Sequence, residues 1–133
     1  MLRLKLLTSD MFAECCTNIN VTLSGKAEEF AGHQSGMYTM YEGTVNNQNF
    51  WVSPNLANAL WYAIDVEDDT QYWGMGYTSS LGYYGFWLKR SVQDAALECP
   101  YESLSSNWTY GLGNWTYVES NTDIKVDCMD IDW

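Results

Sequence analysis

The chain has 133 residues and a mass of 15.2 kDa, enough for one domain with a core and too little for two. Hydrophobic residues make up 47% and charged residues 17%, which excludes a disordered chain, and no run of about 18 apolar residues predicts a membrane span. The net charge of −11 argues against a nucleic-acid partner, because an acidic surface repels phosphate backbones.

Two regions are predicted: an N-terminal arm over residues 1–14 and a single disulfide-stabilised β domain over residues 15–133. In the arm, Leu2, Leu4 and Leu6 alternate with two basic residues, which is the periodicity of a strand. The arm is basic and the rest of the chain is strongly acidic. This contrast favours docking of the arm on its own domain or on a neighbouring copy, so the three leucines are candidate interface residues.

Short alternating or aromatic segments separated by turn residues predict the strands of the β domain. They cover residues 19–23, 37–41, 50–52, 59–65, 70–78, 83–88, 108–110, 115–118 and 124–128. Residues 26–30 allow a helical turn or an irregular loop, and residues 91–97 have the composition of a short helix. The first and last strands are expected to pair, because both alternate and both lie beside a cysteine. The pattern predicts an all-β fold, an antiparallel sandwich or barrel of about eight short strands.

The four cysteines predict two disulfides. Cys15 and Cys16 are adjacent, and a bridge between neighbours is strained. We therefore expect each of them to reach a distant partner, one Cys99 and the other Cys128, with the pairing open. A zinc site is the alternative, and it is disfavoured because C-x-x-C spacing is absent and His33 is the only histidine.

Three N-x-T sequons, at Asn20, Asn107 and Asn114, are candidate glycosylation sites. Asn20 is the best of them, since a tryptophan in the middle position of the other two lowers glycosylation efficiency. Sequons together with paired cysteines predict an extracellular, secreted protein. The segment Met1–Leu7 is too short and too charged for a complete signal peptide. We therefore expect a piece of a longer secreted protein, or export through sequence outside this chain.

A series of short motifs runs from the first cysteine to the last. It reads Cys15-Cys16-x-x-Ile19-x-Val21-x-x-Ser24-Gly25-x-Ala27, Gly36-x-Tyr38, Phe50-Trp51, Leu60-Trp61-Tyr62, Tyr72-Trp73-x-x-Gly76, Gly82, Cys99-Pro100, Trp108-x-Tyr110, Trp115 and Ile124-Lys125-Val126-x-Cys128. Over residues 15–128 it resembles a small cysteine-bounded module of extracellular, often multidomain, proteins from marine invertebrates and some protists. The resemblance implies a secreted structural or adhesive module and brings no assigned activity. The chain departs from the pattern at Asn46-Asn47, where an Asn-Gly turn is usual.

Aromatic residues make up 16% of the chain and crowd the middle strands. Successive side chains of a strand point to opposite faces, so neighbours such as Trp61 and Tyr62 cannot share one face. The surplus allows three interpretations: a protein interface, packing on both faces within the fold, or a platform for glycans. The candidate residues for the interface and for the platform are the same four, Trp51, Trp61, Trp73 and Trp87.

The acidic turn that contains Asp65, Glu67, Asp68 and Asp69 has the oxygen ligands that calcium prefers. It lacks the EF-hand spacing, and a solvated charged turn is the commoner explanation, so we expect no metal. One histidine and no G-x-S-x-G motif leave no recognisable catalytic set. We therefore expect no enzyme activity and no cofactor.

Two functions fit these observations. The first is an extracellular structural or adhesive protein, a subunit of a fibre, coat or matrix that assembles through the arm and an aromatic surface. Its partners would be further copies of itself or other extracellular proteins. The alternative is a carbohydrate-binding, lectin-like module that uses exposed tryptophan and tyrosine rings.

Overall fold

The computed structural model describes residues 15–102, 107–113, 116–120 and 122–130. The predicted arm over residues 1–14, with Leu2, Leu4 and Leu6, lies outside these ranges, as does the predicted glycosylation site Asn114.

Nine strands of the described residues form one antiparallel sheet that curls into a half-barrel. They are β1 (Asn18–Leu23), β2 (Gly36–Met40), β3 (Trp51–Val52), β4 (Asn58–Asp65), β5 (Thr70–Tyr77), β6 (Leu88–Val92), β7 (Thr109–Gly111), β8 (Tyr117–Glu119) and β9 (Ile124–Cys128). The order across the sheet is β8-β7-β6-β5-β4-β3-β2-β1-β9. The predicted all-β antiparallel fold is confirmed.

The predicted pairing of the first and last strands is also confirmed. Ile19 lies opposite Cys128, and Val21 lies opposite Val126. Ile19, Val21 and Val126 are buried on the same face, whereas the polar residues between them face the other way. Alternation therefore fixed the register, because a slip by one residue would expose the buried set.

Two disulfides join the segment just before β1 to the end of β9 and to the loop after β6. Cys15 bonds Cys99, and Cys16 bonds Cys128, across sequence separations of 84 and 112 residues. The expectation of one distant partner for each of the adjacent cysteines is confirmed. By the chain-entropy model, loops of this length give each bond about 4–5 kcal/mol of stabilisation.

The helix predicted near residues 91–97 is wrong. Val92 still belongs to β6, and the residues after it form a turn. The Glu98 carboxylate holds this turn, because it accepts hydrogen bonds from the backbone N–H groups of Gln93 and Asp94 at 3.0 and 2.9 Å. Sheet pairing and the carboxylate cap outweigh the weak helix propensity of the segment.

The α-helix of the described residues is α1 (Gly25–Ala31), where the sequence allowed a helical turn or a loop. Ala27 and Ala31, one turn apart, are fully buried against the sheet. We call the face of the sheet that α1 covers the inner face. With seven residues, the helix is far shorter than the roughly 20 residues that cross a bilayer.

The core has two parts, one on each face of the sheet. The larger part lies on the inner face and includes Tyr62 and Trp73, and a smaller part on the outer face includes Trp61. Tyr72 packs against that outer part. The prediction that neighbouring aromatics of one strand take opposite faces is therefore confirmed.

The strand predicted at residues 83–88 is wrong, because β6 begins only at Leu88. Residues 78–87 form a loop that folds back over the outer face. Two glycines of β5 allow this: a Cβ at Gly74 would lie 2.2 Å from the Phe86 ring, and a Cβ at Gly76 would lie 2.6 Å from the carbonyl oxygen of Gly85. Phe86 then packs on Trp61, with ring centroids 5.0 Å apart. A long-range contact thus overrides the local strand signal.

Candidate functional site

Three of the four predicted interface tryptophans lie inside the fold. Trp51 and Trp61 are 0% exposed and Trp73 is 1% exposed. Each donates its indole N–H to a backbone carbonyl: Trp51 to Cys16 at 2.9 Å, Trp61 to Tyr83 at 3.0 Å and Trp73 to Glu98 at 2.8 Å. Because the polar end of each ring is satisfied internally, the whole side chain can be buried. These three residues therefore cannot form the predicted interface or glycan platform.

A cavity of about 820 Å³ opens on the outer face between the loop 78–87 and β8. Four tyrosines line it, Tyr72, Tyr83, Tyr84 and Tyr117, together with Lys89. We call this cavity the tyrosine groove. Its residues come from β5, the loop, β6 and β8, so only the folded sheet brings them together.

The Lys89 ammonium lies over three tyrosine rings of the groove. Its Nζ atom is 4.4 Å from the ring centroid of Tyr72, 4.8 Å from that of Tyr84 and 3.9 Å from that of Tyr117. It also donates a hydrogen bond to the Tyr84 hydroxyl. Each contact of this kind is worth about 0.5–2 kcal/mol, so the lysine and the three rings hold one another in place.

Burial shifts the titration of these groups. It lowers the pKa of the Lys89 amine, and the charges of Asp65 and Asp68 oppose that shift. Burial also raises the pKa of the Tyr84 hydroxyl, and it raises the pKa of Tyr117 to about 12, with smaller contributions from neighbouring acidic groups. At neutral pH the hydroxyls of Tyr84 and Tyr117 are therefore uncharged hydrogen-bonding groups.

The acidic turn between β4 and β5 forms one rim of the groove, through Asp65, Glu67 and Asp68. One oxygen of Asp65 accepts the backbone N–H of Glu67 at 3.0 Å, and one oxygen of Asp68 accepts that of Thr70 at 2.9 Å. The latter bond holds the pKa of Asp68 below its ordinary value. The Asp68 carboxylate is therefore charged at neutral pH, and it lines the groove together with the carboxylates of Asp65 and Glu67.

The calcium candidates Asp65, Glu67, Asp68 and Asp69 do not converge on one point. Over the ranges that the structure describes, no group of three or more histidine, cysteine or acidic residues is placed to hold a metal ion. The four residues form a hairpin turn, in which the Asp69 backbone N–H bonds the carbonyl of Asp65 at 2.8 Å. The turn predicted from the sequence is present.

A second cavity of about 220 Å³ lies beside the first, where β5 ends and β6 begins. Tyr77, Trp87 and Tyr117 form its aromatic walls, and Gly111 and Gly113 lie at its base. We call this cavity the glycine slot. Trp87 lines this slot and is half-buried, whereas the other three predicted interface tryptophans are at most 1% exposed.

His33 supports the aromatic wall of the slot from behind. Its ring stacks on Tyr77 with centroids 5.2 Å apart and meets Trp87 edge-on at 4.7 Å. Burial lowers the pKa of His33, so the imidazole is neutral at neutral pH and packs as an aromatic ring. This arrangement fixes both rings before any ligand arrives.

Tyr117 belongs to both cavities. Its hydroxyl donates a 2.6 Å hydrogen bond to the carbonyl of Phe86, and its ring lies beneath Lys89. One fixed ring therefore forms the wall between the groove and the slot, and the two cavities make a continuous aromatic surface. Sequence reasoning missed Tyr83, Tyr84, Tyr117 and Lys89 as site residues, although alternation along β5 did place Tyr72 opposite the buried Trp73.

Two of the three predicted glycosylation sites lie in the described residues. Asn20 is half-buried on β1, where its side-chain amide donates to the Thr22 hydroxyl at 3.1 Å. Asn107 is exposed just before β7. Both asparagines lie outside the lining of the groove and the slot, so glycans there would leave the candidate site open.

A scan against protein-family models, a search of curated proteins and a search of solved structures each found no match to this chain.

Proposed function

We propose that this protein is an extracellular carbohydrate-binding module that holds an oligosaccharide along the tyrosine groove and the glycine slot. The observation that carries the proposal is the position of Tyr117 as the shared wall of two adjacent aromatic cavities. Binding sites for small ligands have volumes of this order and combine aromatic walls with a few polar groups. A chain of sugar rings could occupy one cavity after the other.

The exposed rings supply the stacking surface. Tyr83 is 75% exposed, and its backbone carbonyl accepts a hydrogen bond from the indole N–H of the buried Trp61. The exposed Tyr83 ring is therefore carried by a loop that is bonded to the core. Tyr77 is exposed at the mouth of the slot beside Trp87. Tyrosine and tryptophan combine an apolar face with a polar tip, which suits the apolar faces and hydroxyl edges of sugars.

Polar groups around these rings supply the hydrogen bonds. The carboxylates of Asp65, Glu67 and Asp68 accept hydrogen bonds from hydroxyl groups, and the tyrosine hydroxyls both donate and accept. Gly111 and Gly113 leave the base of the slot without side chains, so a flat ring can approach the backbone closely. Two disulfides and the resemblance to a cysteine-bounded module support an oxidising, extracellular setting, with Asn20, Asn107 and Asn114 as glycosylation sites.

Isothermal titration calorimetry against a panel of neutral, acidic and amino-sugar oligosaccharides tests the proposal. At least one oligosaccharide should bind, and Tyr83→Ala or Trp87→Ala should each lower the affinity about tenfold, the equivalent of about 1.4 kcal/mol. Tyr41→Ala is the matched control, since Tyr41 is an exposed tyrosine outside both cavities. If no sugar bound, or if all three variants lost affinity equally, the proposal would be wrong.

The second candidate is the structural or adhesive role, with assembly through the arm. In the described sheet, β8 and β9 are edge strands that pair on one side only. An edge strand presents unpaired backbone groups to which a strand from another copy can add. Leu2, Leu4 and Leu6 would then occupy apolar positions on the neighbouring copy.

Negative-stain electron microscopy of the full chain tests this second candidate. Filaments or a lattice that disappear when the three arm leucines are replaced by serine would support it. Uniform particles of monomer size in the unaltered protein would exclude it. The sugar titration and the microscopy are independent, so either candidate can fail alone.

A further inference from the structure

The tyrosine groove already holds one cation, and this shows which charge its ring faces attract. The Lys89 ammonium sits 3.9–4.8 Å from three ring centroids although burial makes the charged form of the lysine less favourable. The negative faces of the tyrosine rings and the charges of Asp65 and Asp68 offset that cost. The ring faces and the nearby carboxylates thus stabilise the ammonium group of Lys89.

The rim carries more negative charge than Lys89 neutralises. Three carboxylates, those of Asp65, Glu67 and Asp68, line the groove against one ammonium. Each carboxylate offers about four acceptor positions; a backbone N–H uses one on Asp65, and the backbone N–H and side chain of Thr70 use two on Asp68, so both carboxylates keep positions for a ligand. A cationic ligand group could therefore bond the rim while its neighbouring sugar ring stacks on Tyr83.

The charge of the whole chain acts in the same direction. At −11 it repels sulfated or carboxylated polysaccharides and attracts cationic ones. Three features therefore favour cationic sugars over anionic ones: the cation held in the groove, the acidic rim and the net charge.

On these grounds, and building on the proposed carbohydrate-binding function, we propose that the ligand is a polysaccharide whose sugars carry free amino groups. One sugar ring stacks on Tyr83, and its ammonium group bonds the carboxylates of Asp65 and Asp68. Charge-assisted hydrogen bonds of this kind are about twice as strong as neutral ones, so they decide the preference between sugars of the same shape.

Two ligands that differ only at nitrogen test the proposal: short oligomers of glucosamine and the same oligomers of N-acetylglucosamine. Calorimetry is done at mildly acidic pH, where the sugar amines are charged. The glucosamine oligomer should bind about tenfold more tightly, as expected when one charge-assisted bond is gained. The difference should shrink as salt is raised, since salt screens exposed charges.

Two double variants with the same change in net charge separate a local effect from a general one. Asp65→Asn with Asp68→Asn should abolish most of the preference for glucosamine. Glu28→Gln with Asp127→Asn should change it less than about twofold, because both residues are exposed and lie outside the groove.

The outcomes distinguish this inference from the proposed function. Equal binding of the two oligomers would overturn the inference and leave the carbohydrate-binding function standing. Binding of neither oligomer, with no other sugar bound, would overturn both. An oligolysine of equal charge that displaced the glucosamine oligomer with the same affinity would also overturn the inference, because charge alone would then explain binding.

Discussion

Replacement of Gly74 by alanine tests how the outer face of this protein is built. Gly74 lies in the middle of β5, and the Phe86 ring rests directly on its backbone. An alanine Cβ would lie 2.2 Å from two carbon atoms of that ring, a distance at which no side-chain carbon is tolerated. Phe86 must therefore leave its site, and the loop that carries Tyr83 and Tyr84 must move with it.

The cost follows from the burial of Phe86, which is 5% exposed. Burying a phenylalanine side chain is worth about 1.5–3 kcal/mol, and its departure also uncovers part of Trp61. Alanine recovers about 0.5–1 kcal/mol, because glycine loses more backbone freedom on folding. We expect Gly74→Ala to lower the free energy of unfolding by about 2–3 kcal/mol and the melting temperature by roughly 10 °C.

Urea unfolding followed by tryptophan fluorescence measures this cost, and a double-mutant cycle assigns it. Phe86→Ala should be destabilising by itself, and Gly74→Ala added to it should cost almost nothing, because the clash is gone. Gly32→Ala is the control, since its Cβ would meet only a flexible glutamate side chain at 3.4 Å. A cost below about 0.5 kcal/mol for Gly74→Ala, or additive costs in the cycle, would refute the contact.

Two further predictions concern titration and covalent links. Burial raises the pKa of the Tyr117 hydroxyl to about 12 in the folded chain, against about 10 in the unfolded chain. The contribution of the neutral hydroxyl to the free energy of unfolding is therefore complete below pH 10 and is lost as the pH rises toward 12. Tyr117→Phe should therefore lose less stability than the unaltered protein over that interval in urea unfolding; an identical loss would contradict the assignment. Replacement of Cys16 and Cys128 by alanine should lower the free energy of unfolding by about 2–5 kcal/mol, and an unchanged urea midpoint would contradict this.

Local alternation made part of the fold predictable. The pairing of β1 with β9 and the opposite directions of Tyr72 and Trp73 follow from a period of two residues, and the hairpin turn follows from its run of acidic residues. The cysteine partners followed from strain between neighbours. Each of these features depends on residues close in sequence or on a strand whose faces differ clearly in polarity.

The features that could not be predicted from the sequence depend on contacts between residues that are distant along the chain. Residues 83–88 have the composition of a strand. They form a loop on the outer face because the glycines at 74 and 76 leave room for Phe86 and Gly85 against β5. The inward rotation of Trp51 and Trp73 depends on carbonyl partners supplied by remote segments. No local pattern encodes these partners, so a count of aromatic residues could not say which rings reach the surface.

The candidate site lies where the outer face of the sheet is left uncovered. The sheet has aromatic residues on both faces, and α1 helps to cover the inner one. On the outer face the loop covers Trp61 with Phe86 and meets β8 at Tyr117, and an open cavity remains beside this contact. The uncovered remainder is the tyrosine groove, and it differs from the covered part by its charges, since Lys89 and three carboxylates lie there. A surplus of rings that served packing alone would need no charges, whereas the proposed binding of a polar, cation-bearing ligand accounts for them.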